Sequence, residues 1–136
     1  MPEISVERTI GATKRAIVGG LNRYNTEKLG RQKHREFAVS LRDKGVIVGG
    51  VIGGVWMTVL FIRSFWIDER YRSQGYGTAL IRSIEDEARR FGAIRSFLDT
   101  LSVQAPDFYR TCGYEAFGAI DGYPGGVTRH WLTKAL

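Results

Sequence analysis

Apolar residues recur along this chain with two periods, near 3.6 and 2, and the period assigns each element. From Ala12 to Leu29 the residues Ile17, Leu21 and Tyr24 stand at i, i+4 and i+7, a helical stripe. Gly19 and Gly20 weaken that helix by about 1 kcal/mol each relative to alanine. One helix and two short helices joined by a bend therefore fit equally well. Before it, Glu3 to Arg8 alternates loosely, as an edge strand would. Arg31 to Arg35 is a basic connector. Phe37, Val39 and Leu41 then alternate with Ala38, Ser40 and Arg42, the pattern of a half-buried strand. Asp43-Lys44-Gly45 predicts a tight turn and Val46 to Val55 the returning arm of a hairpin. The glycine pairs inside that arm point to a bulge or a close backbone approach. Val59 to Ile67, dense in β-branched and aromatic residues, is a further strand.

The clearest helix runs from Gly77 to Phe91. Leu80, Ile84, Ala88 and Phe91 form its expected buried face, with Glu85–Arg89 and Asp86–Arg90 as i, i+4 ion pairs on the other. Gly92 stands where a left-handed cap belongs. Arg95 to Leu101 reads as a strand, Gln104 to Thr111 as a short helix leaving through Cys112-Gly113, and Tyr114 to Ile120 as a strand. A turn-rich loop, Asp121 to Gly126, leads to a last strand from Val127 to Lys134. No repeat, low-complexity tract or proline-rich linker interrupts the series. The expectation is one α/β domain over residues 1–136, with a mixed sheet and a strand–loop–helix unit at its centre.

Composition narrows the function. With 136 residues, 43% of them hydrophobic, the chain is long enough for one real core. It has no apolar run of membrane-spanning length, and Met1-Pro2-Glu3-Ile4 opens no signal peptide. The single cysteine, Cys112, makes no internal disulfide, so a reducing, cytoplasmic setting is expected. Two histidines and one cysteine argue against a metal centre. The net charge of +6 favours an anionic partner: nucleic acid, an acidic membrane surface or a phosphate-bearing cofactor.

The loop from Asp68 to Thr78 decides among these. Gly75 and Gly77 let the backbone approach an anion, and the helix that follows offers unpaired N–H groups and a positive dipole end. The two better-known phosphate loops are absent: no Gly-Lys-Ser/Thr follows, and Leu80 stands where a third glycine would be. Arg72-Ser73-Gln74-Gly75-Tyr76-Gly77 resembles the Arg/Gln-x-x-Gly-x-Gly/Ala signature of the GNAT family of N-acetyltransferases. Gln104-Ala105-x-x-Phe108-Tyr109-x-x-x-Gly113-Tyr114 resembles the later motif of the same family, in the right order and spacing. The likeness covers about Phe37 to Leu136.

The resemblance implies an α/β fold with a mixed, mostly antiparallel sheet whose central strands splay apart, flanked by helices. Val59 to Ile67 would be the family's fourth strand and Arg95 to Leu101 its fifth. Acetyl-CoA would be the co-substrate, with no metal. Main-chain groups near Phe65 and Ile67 would bind the pantetheine arm and acetyl carbonyl. The amides of Arg72, Ser73, Gln74, Gly75, Tyr76, Gly77 and Thr78 would cradle the pyrophosphate. Tyr109 occupies the position that protonates the departing thiolate, and a phenol is a plausible donor to it.

The general base is a gap in the match. Many relatives carry a glutamate on the fourth strand, but here Arg63 is that strand's only charged residue. Asp99 and Glu69 are the nearest carboxylates in sequence, and the parity of Asp99 with Phe97 and Leu101 predicts its partial burial. Ser102 replaces an asparagine that many members place against the cofactor arm. Cys112 reads as a small packed residue. Trp56, Trp66 and Trp131 read as core or cleft-lining, the first two as a border for an acceptor pocket.

The leading expectation is an N-acetyltransferase acting by direct attack of a primary amine of a small molecule or peptide. The alternative is a non-catalytic acyl-CoA-binding or regulatory module on the same fold, which the missing carboxylate favours. A nucleic-acid-binding domain fits less well, because basic residues are scattered and alternate with acids on the main helix. Neither a specific nucleic acid nor a membrane is expected as a partner. Family members often pair through their C-terminal strands, which leaves a homodimer open.

Overall fold

Six strands form one sheet: β1 (His34–Asp43), β2 (Val46–Trp56), β3 (Val59–Ile67), β4 (Arg95–Leu101), β5 (Glu115–Tyr123) and β6 (Val127–Ala135). Their order is β1-β2-β3-β4-β6-β5, antiparallel except for the β3–β4 pair. This is the expected mixed, mostly antiparallel sheet. The structure is a computed structural model that describes all residues from Met1 to Leu136. It comprises two units, Met1–Gln32 and Lys33–Leu136.

The first unit holds α1 (Gly11–Leu29), a single helix with no break at Gly19 and Gly20. Good helix formers on either side of the glycines outweigh their cost. Gly30, at φ 72°, ends it. No residue of α1 is buried, so Ile17, Leu21 and Tyr24 form an exposed stripe. Glu3 to Arg8 is irregular rather than a strand. A loosely alternating segment with no paired neighbour cannot satisfy its backbone as a strand.

In the second unit the β1–β2 hairpin closes as predicted. Lys44 and Gly45 both take positive φ, 49° and 80°, the signature of a two-residue turn matched to strand twist. The β2 glycines allow the close backbone approach expected of them, and the bulge lies opposite, in β3. The register shifts between Ile52 and Gly53. A β-carbon at Gly49, Gly50 or Gly53 would lie 2.9, 2.8 or 2.8 Å from a carbonyl oxygen of the adjoining strand.

The crossover from β3 to the parallel β4 is α2 (Tyr76–Arg90), capped by Gly92 at φ 84°. Leu80, Ile84 and Ala88 are buried as expected, and so are Ile81 and Glu85. Each large aliphatic contributes about 1.5–3 kcal/mol by leaving water. Phe91 does not join them. It lies at the helix end, partly exposed, and stacks on Phe37 at 5.8 Å.

The expected Glu85–Arg89 and Asp86–Arg90 pairs do not form. Arg89 pairs with Asp86 and Arg90 with Glu87, each at i, i+3. Glu85 instead points inward, where Lys134 Nζ lies 2.9 Å from Oε1 and the Tyr114 hydroxyl donates to Oε2 at 2.8 Å. The same hydroxyl lies 2.8 Å from Ser96 Oγ. This cluster ties α2 to β4, to the start of β5 and to β6. It fastens α2, whose aliphatic face packs into the core with β2 and β3, to the β4–β6–β5 half of the sheet. Removing one partner of such a pair leaves a charge uncompensated, which typically costs about 3–5 kcal/mol. Glu85→Ala should therefore lower stability by about 3 kcal/mol, because Lys134 retains some contact with water. Denaturant unfolding measures it, and a loss below about 1 kcal/mol would show that the cluster does not pin the sheet.

Candidate active site

β3 and β4 are paired only from Val59–Arg95 to Ile62–Leu98. Beyond that point Arg63 to Ile67 and Asp99 to Leu101 have no ladder between them, and the sheet opens. The cause lies in the β2–β3 register. Ile52 faces Ser64 and Gly53 faces Ile62, so Arg63 is an extra residue that bulges β3. Such a bulge sharpens the local twist and turns the strand away from its other neighbour.

The ladder on the far side of β3 shows what faces the opening. Asp68 N–H donates to Val48 O at 2.8 Å. Bonded and non-bonded pairs alternate in an antiparallel ladder, so Gly49–Ile67 and Val51–Phe65 are the non-bonded pairs. The N–H and C=O groups of Phe65 and Ile67 therefore point away from β2, toward the gap. The Ile67 carbonyl there accepts Nε of Arg72 at 2.8 Å.

The loop after β3 is shaped by its own side chains. Asp68 accepts Arg70 N–H at 3.0 Å and starts a single turn, Glu69–Tyr71. Gln74 reaches back to the Arg70 carbonyl at 3.0 Å. Arg72 and Gln74 thus hold the loop. Ser73 and Gly75 lie at φ 60° and 86°, so the chain coils tightly into α2. No side chain caps α2 and no acid stands in its first turn. The N–H groups of Tyr76, Gly77 and Thr78 have no intrahelical partner, and the positive end of the dipole is uncompensated. That chemistry suits a diphosphate.

The two glycines do different jobs. Gly75 needs its left-handed backbone, and a β-carbon there would meet nothing within 4 Å. Gly77 lies on the helix, but a β-carbon there would come within 3.0 Å of Phe108 Cζ and 3.5 Å of Phe65 Cζ. Phe65 and Phe108 stack at 5.6 Å, so a side chain at Gly77 would wedge into the floor of the opening.

Tyr109 lies on α3 (Pro106–Thr111), only 8% exposed, edge-on to Phe65, Phe108 and Tyr114. Burial, and then the nearby Cys112 and Asp99, push its hydroxyl up to about 12. No hydrogen bond to protein contributes to that shift, and the oxygen is not a sealed, unpaired group. Tyr114, by contrast, has its hydroxyl bonded to Glu85 and Ser96 and serves the core. The chain therefore brings one uncommitted phenol beneath the opening.

Other expected residues disperse. Glu69 is exposed on the loop, while Asp99 is half-buried as predicted and bonded to Arg129. Ser102 accepts Thr128 N–H at 3.1 Å. Cys112 packs beside the core, and burial pushes its thiol up. Trp56 and Trp66 are exposed rather than core. Trp66 lines an apolar groove of about 260 Å³ with Ile47, Ile52 and Ser64, next to the open end of β3. Arg129 was not legible as part of the site, because only the β4–β6 pairing brings it to Asp99.

A family model described as the acetyltransferase (GNAT) family matches residues 13–114. The chain belongs to this acetyltransferase family. Over 95 residues, 69% of this chain and 70% of the other, the acetyltransferase is 39% identical to the blasticidin-S acetyltransferase of Streptomyces morookaense. An acetyltransferase crystal structure from Bacillus cereus is 32% identical, with a TM-score of 0.90 over 99% of this chain and 98% of that one. A candidate streptothricin acetyltransferase from Bacillus anthracis, solved with acetyl-CoA, shares the fold at 20% identity and a TM-score of 0.66, over 74% of this chain and 62% of that one. The acetyltransferase is thus an acyltransferase that uses acetyl-CoA as co-substrate. The open helix terminus and the main-chain groups facing the gap fit that molecule. Gly77→Val should weaken acetyl-CoA binding by about tenfold or more, through the wedge against Phe108 and Phe65. Calorimetry giving wild-type affinity in the folded variant would remove this loop from the cofactor site.

Proposed function

We propose that this acetyltransferase moves the acetyl group of acetyl-CoA directly onto the primary amine of a small basic molecule, and that residues 1–136 serve as one such domain. One observation carries the reading: an uncapped helix terminus, unpaired strand edges and an uncommitted tyrosine hydroxyl meet at a single opening in the sheet. Two of the similar proteins are named for small antibiotics, which supports a small-molecule amine as the acceptor class. The groove beside Trp66 offers an apolar wall for such a molecule. A lone cysteine with no disulfide partner supports a cytoplasmic setting.

When bound, acetyl-CoA supplies an activated thioester carbonyl. The residues of this chain do the rest. Amides from Ser73 to Thr78 hold the pyrophosphate on the helix terminus. Main-chain groups of Phe65 and Ile67 hold the pantetheine arm, and the Ile67 N–H donates to the carbonyl oxygen as it gains charge. The Tyr109 hydroxyl gives a proton to the sulfur as the C–S bond breaks, and water restores it.

Burial matters to that last role. A phenol raised to about 12 stays protonated where an ordinary one, near 10, begins to ionise. The donor form is lost only as pH rises through the higher value. Up to about pH 10 the single-turnover rate should therefore show no falling limb from Tyr109. Tyr109→Phe keeps the ring packing, so acetyl-CoA affinity should be unchanged while the single-turnover rate drops on the order of 10²–10⁴. Blasticidin S, streptothricin, spermidine and a lysine-containing peptide make the acceptor panel. An unchanged rate in Tyr109→Phe would take the tyrosine out of the mechanism. Failure of wild type to acetylate any of the four would reject the acceptor class.

A further inference from the structure

β3 carries no carboxylate on its side of the opening, and its one charge, Arg63, is engaged by Glu36. The other side is different. Asp99 is the first β4 residue past the last β3–β4 pair, Ile62–Leu98. Its neighbours Leu98 and Thr100 are buried, so Asp99 stands on the opposite face of the sheet from the core beneath α2.

Arg129, on β6, donates both Nε, at 2.9 Å, and Nη2, at 2.6 Å, to the same oxygen, Oδ1. This is not the fork in which each carboxylate oxygen takes one donor. Oδ2 is left with no protein donor, and the side chain is 22% exposed. Arg129 is held in turn over the Trp131 ring, 5.0 Å from its centroid. The carboxylate is thus fixed in orientation with one oxygen to spare. Across the gap, Tyr109 packs edge-on to Phe65, a β3 residue past the same break, so the carboxylate and the phenol border one opening.

We propose that Asp99 Oδ2 accepts an N–H of the acceptor amine and stabilises the positive charge that nitrogen gains as it attacks. This rests on the acetyl-transfer reading above and names the missing acceptor contact. The nitrogen lone pair forms the C–N bond, and the C–S pair leaves with sulfur, which takes the Tyr109 proton. The extra proton on nitrogen passes to water. Because the contact strengthens as charge develops, it acts on the transition state more than on the bound amine. The acceptors it favours are basic aliphatic amines. Arg129 is a positioning residue: it orients the carboxylate and does not touch the amine.

The test begins with wild type and the four-amine panel, and the amine turned over best serves as the probe. In Asp99→Asn, kcat/KM for that amine should fall on the order of 10²–10³, with acetyl-CoA affinity unchanged. Asp99→Glu should recover part of the loss. Arg129→Gln should cost roughly tenfold and act mainly on kcat. Independently of turnover, the carboxyl carbon resonance of Asp99 in the wild-type complex with coenzyme A should move as the probe amine saturates it. A folded Asp99→Asn within about threefold of wild-type kcat/KM, or an unmoved Asp99 resonance, would overturn the proposal. These outcomes leave the acetyltransferase reading intact. No acetylation of any amine by wild type would defeat both.

Discussion

The parting of β3 from β4 is the constraint on which the rest of the structure turns. Parallel neighbours joined by a helical crossover normally pair along their length, and here the pairing stops at Ile62–Leu98. One residue too many in β3, Arg63, turns the strand away. Everything chemical follows from that break. The backbone groups of Phe65 and Ile67 are left facing a gap. The helix that β3 feeds delivers an uncapped terminus to its rim, and Tyr109 comes up from below. A sheet that opened without support would collapse or slip. The buried Glu85–Lys134–Tyr114–Ser96 cluster and the aliphatic face of α2 hold the two halves below the opening.

Site and scaffold use similar residues for opposite ends. Tyr109 and Tyr114 lie five positions apart, their rings edge-on at 6.3 Å. The hydroxyl of Tyr114 is committed to Glu85 and Ser96, and its ionisation is pushed far up by burial. That of Tyr109 has no protein partner. Only the second is free to give up a proton to a bound molecule. The same contrast holds for the acids. Glu85 is consumed by the core, while Asp99 gives one oxygen to Arg129 and keeps the other.

Much of this was legible in the chain. Alternation marked β1, β-branched and aromatic density marked β3, and the glycine-flanked motif placed the turn that leads into α2. What failed to read out has physical reasons. Glu85 sits at helical spacing from Arg89, and local spacing cannot show that Tyr114 and Lys134, distant in sequence, compete for it from inside. The apolar stripe of α1 marked a helix, but a stripe records only periodicity, and none of its residues is buried. Glu3 to Arg8 alternates without a strand to pair with. The Asp99–Arg129 contact depends on strand order, which places β6 rather than β5 beside β4.

The central claim is that this opening, and not another surface of the sheet, receives acetyl-CoA. Backbone amide resonances followed during titration with acetyl-CoA test it most directly. The account predicts that the largest shifts fall on Ser73 to Thr78 and on Phe65 to Ile67, with the strand residues Ala38, Ser40 and Ile52 little changed. Shifts centred on those β1 and β2 residues, with the amides of the α2 terminus unmoved, would contradict it.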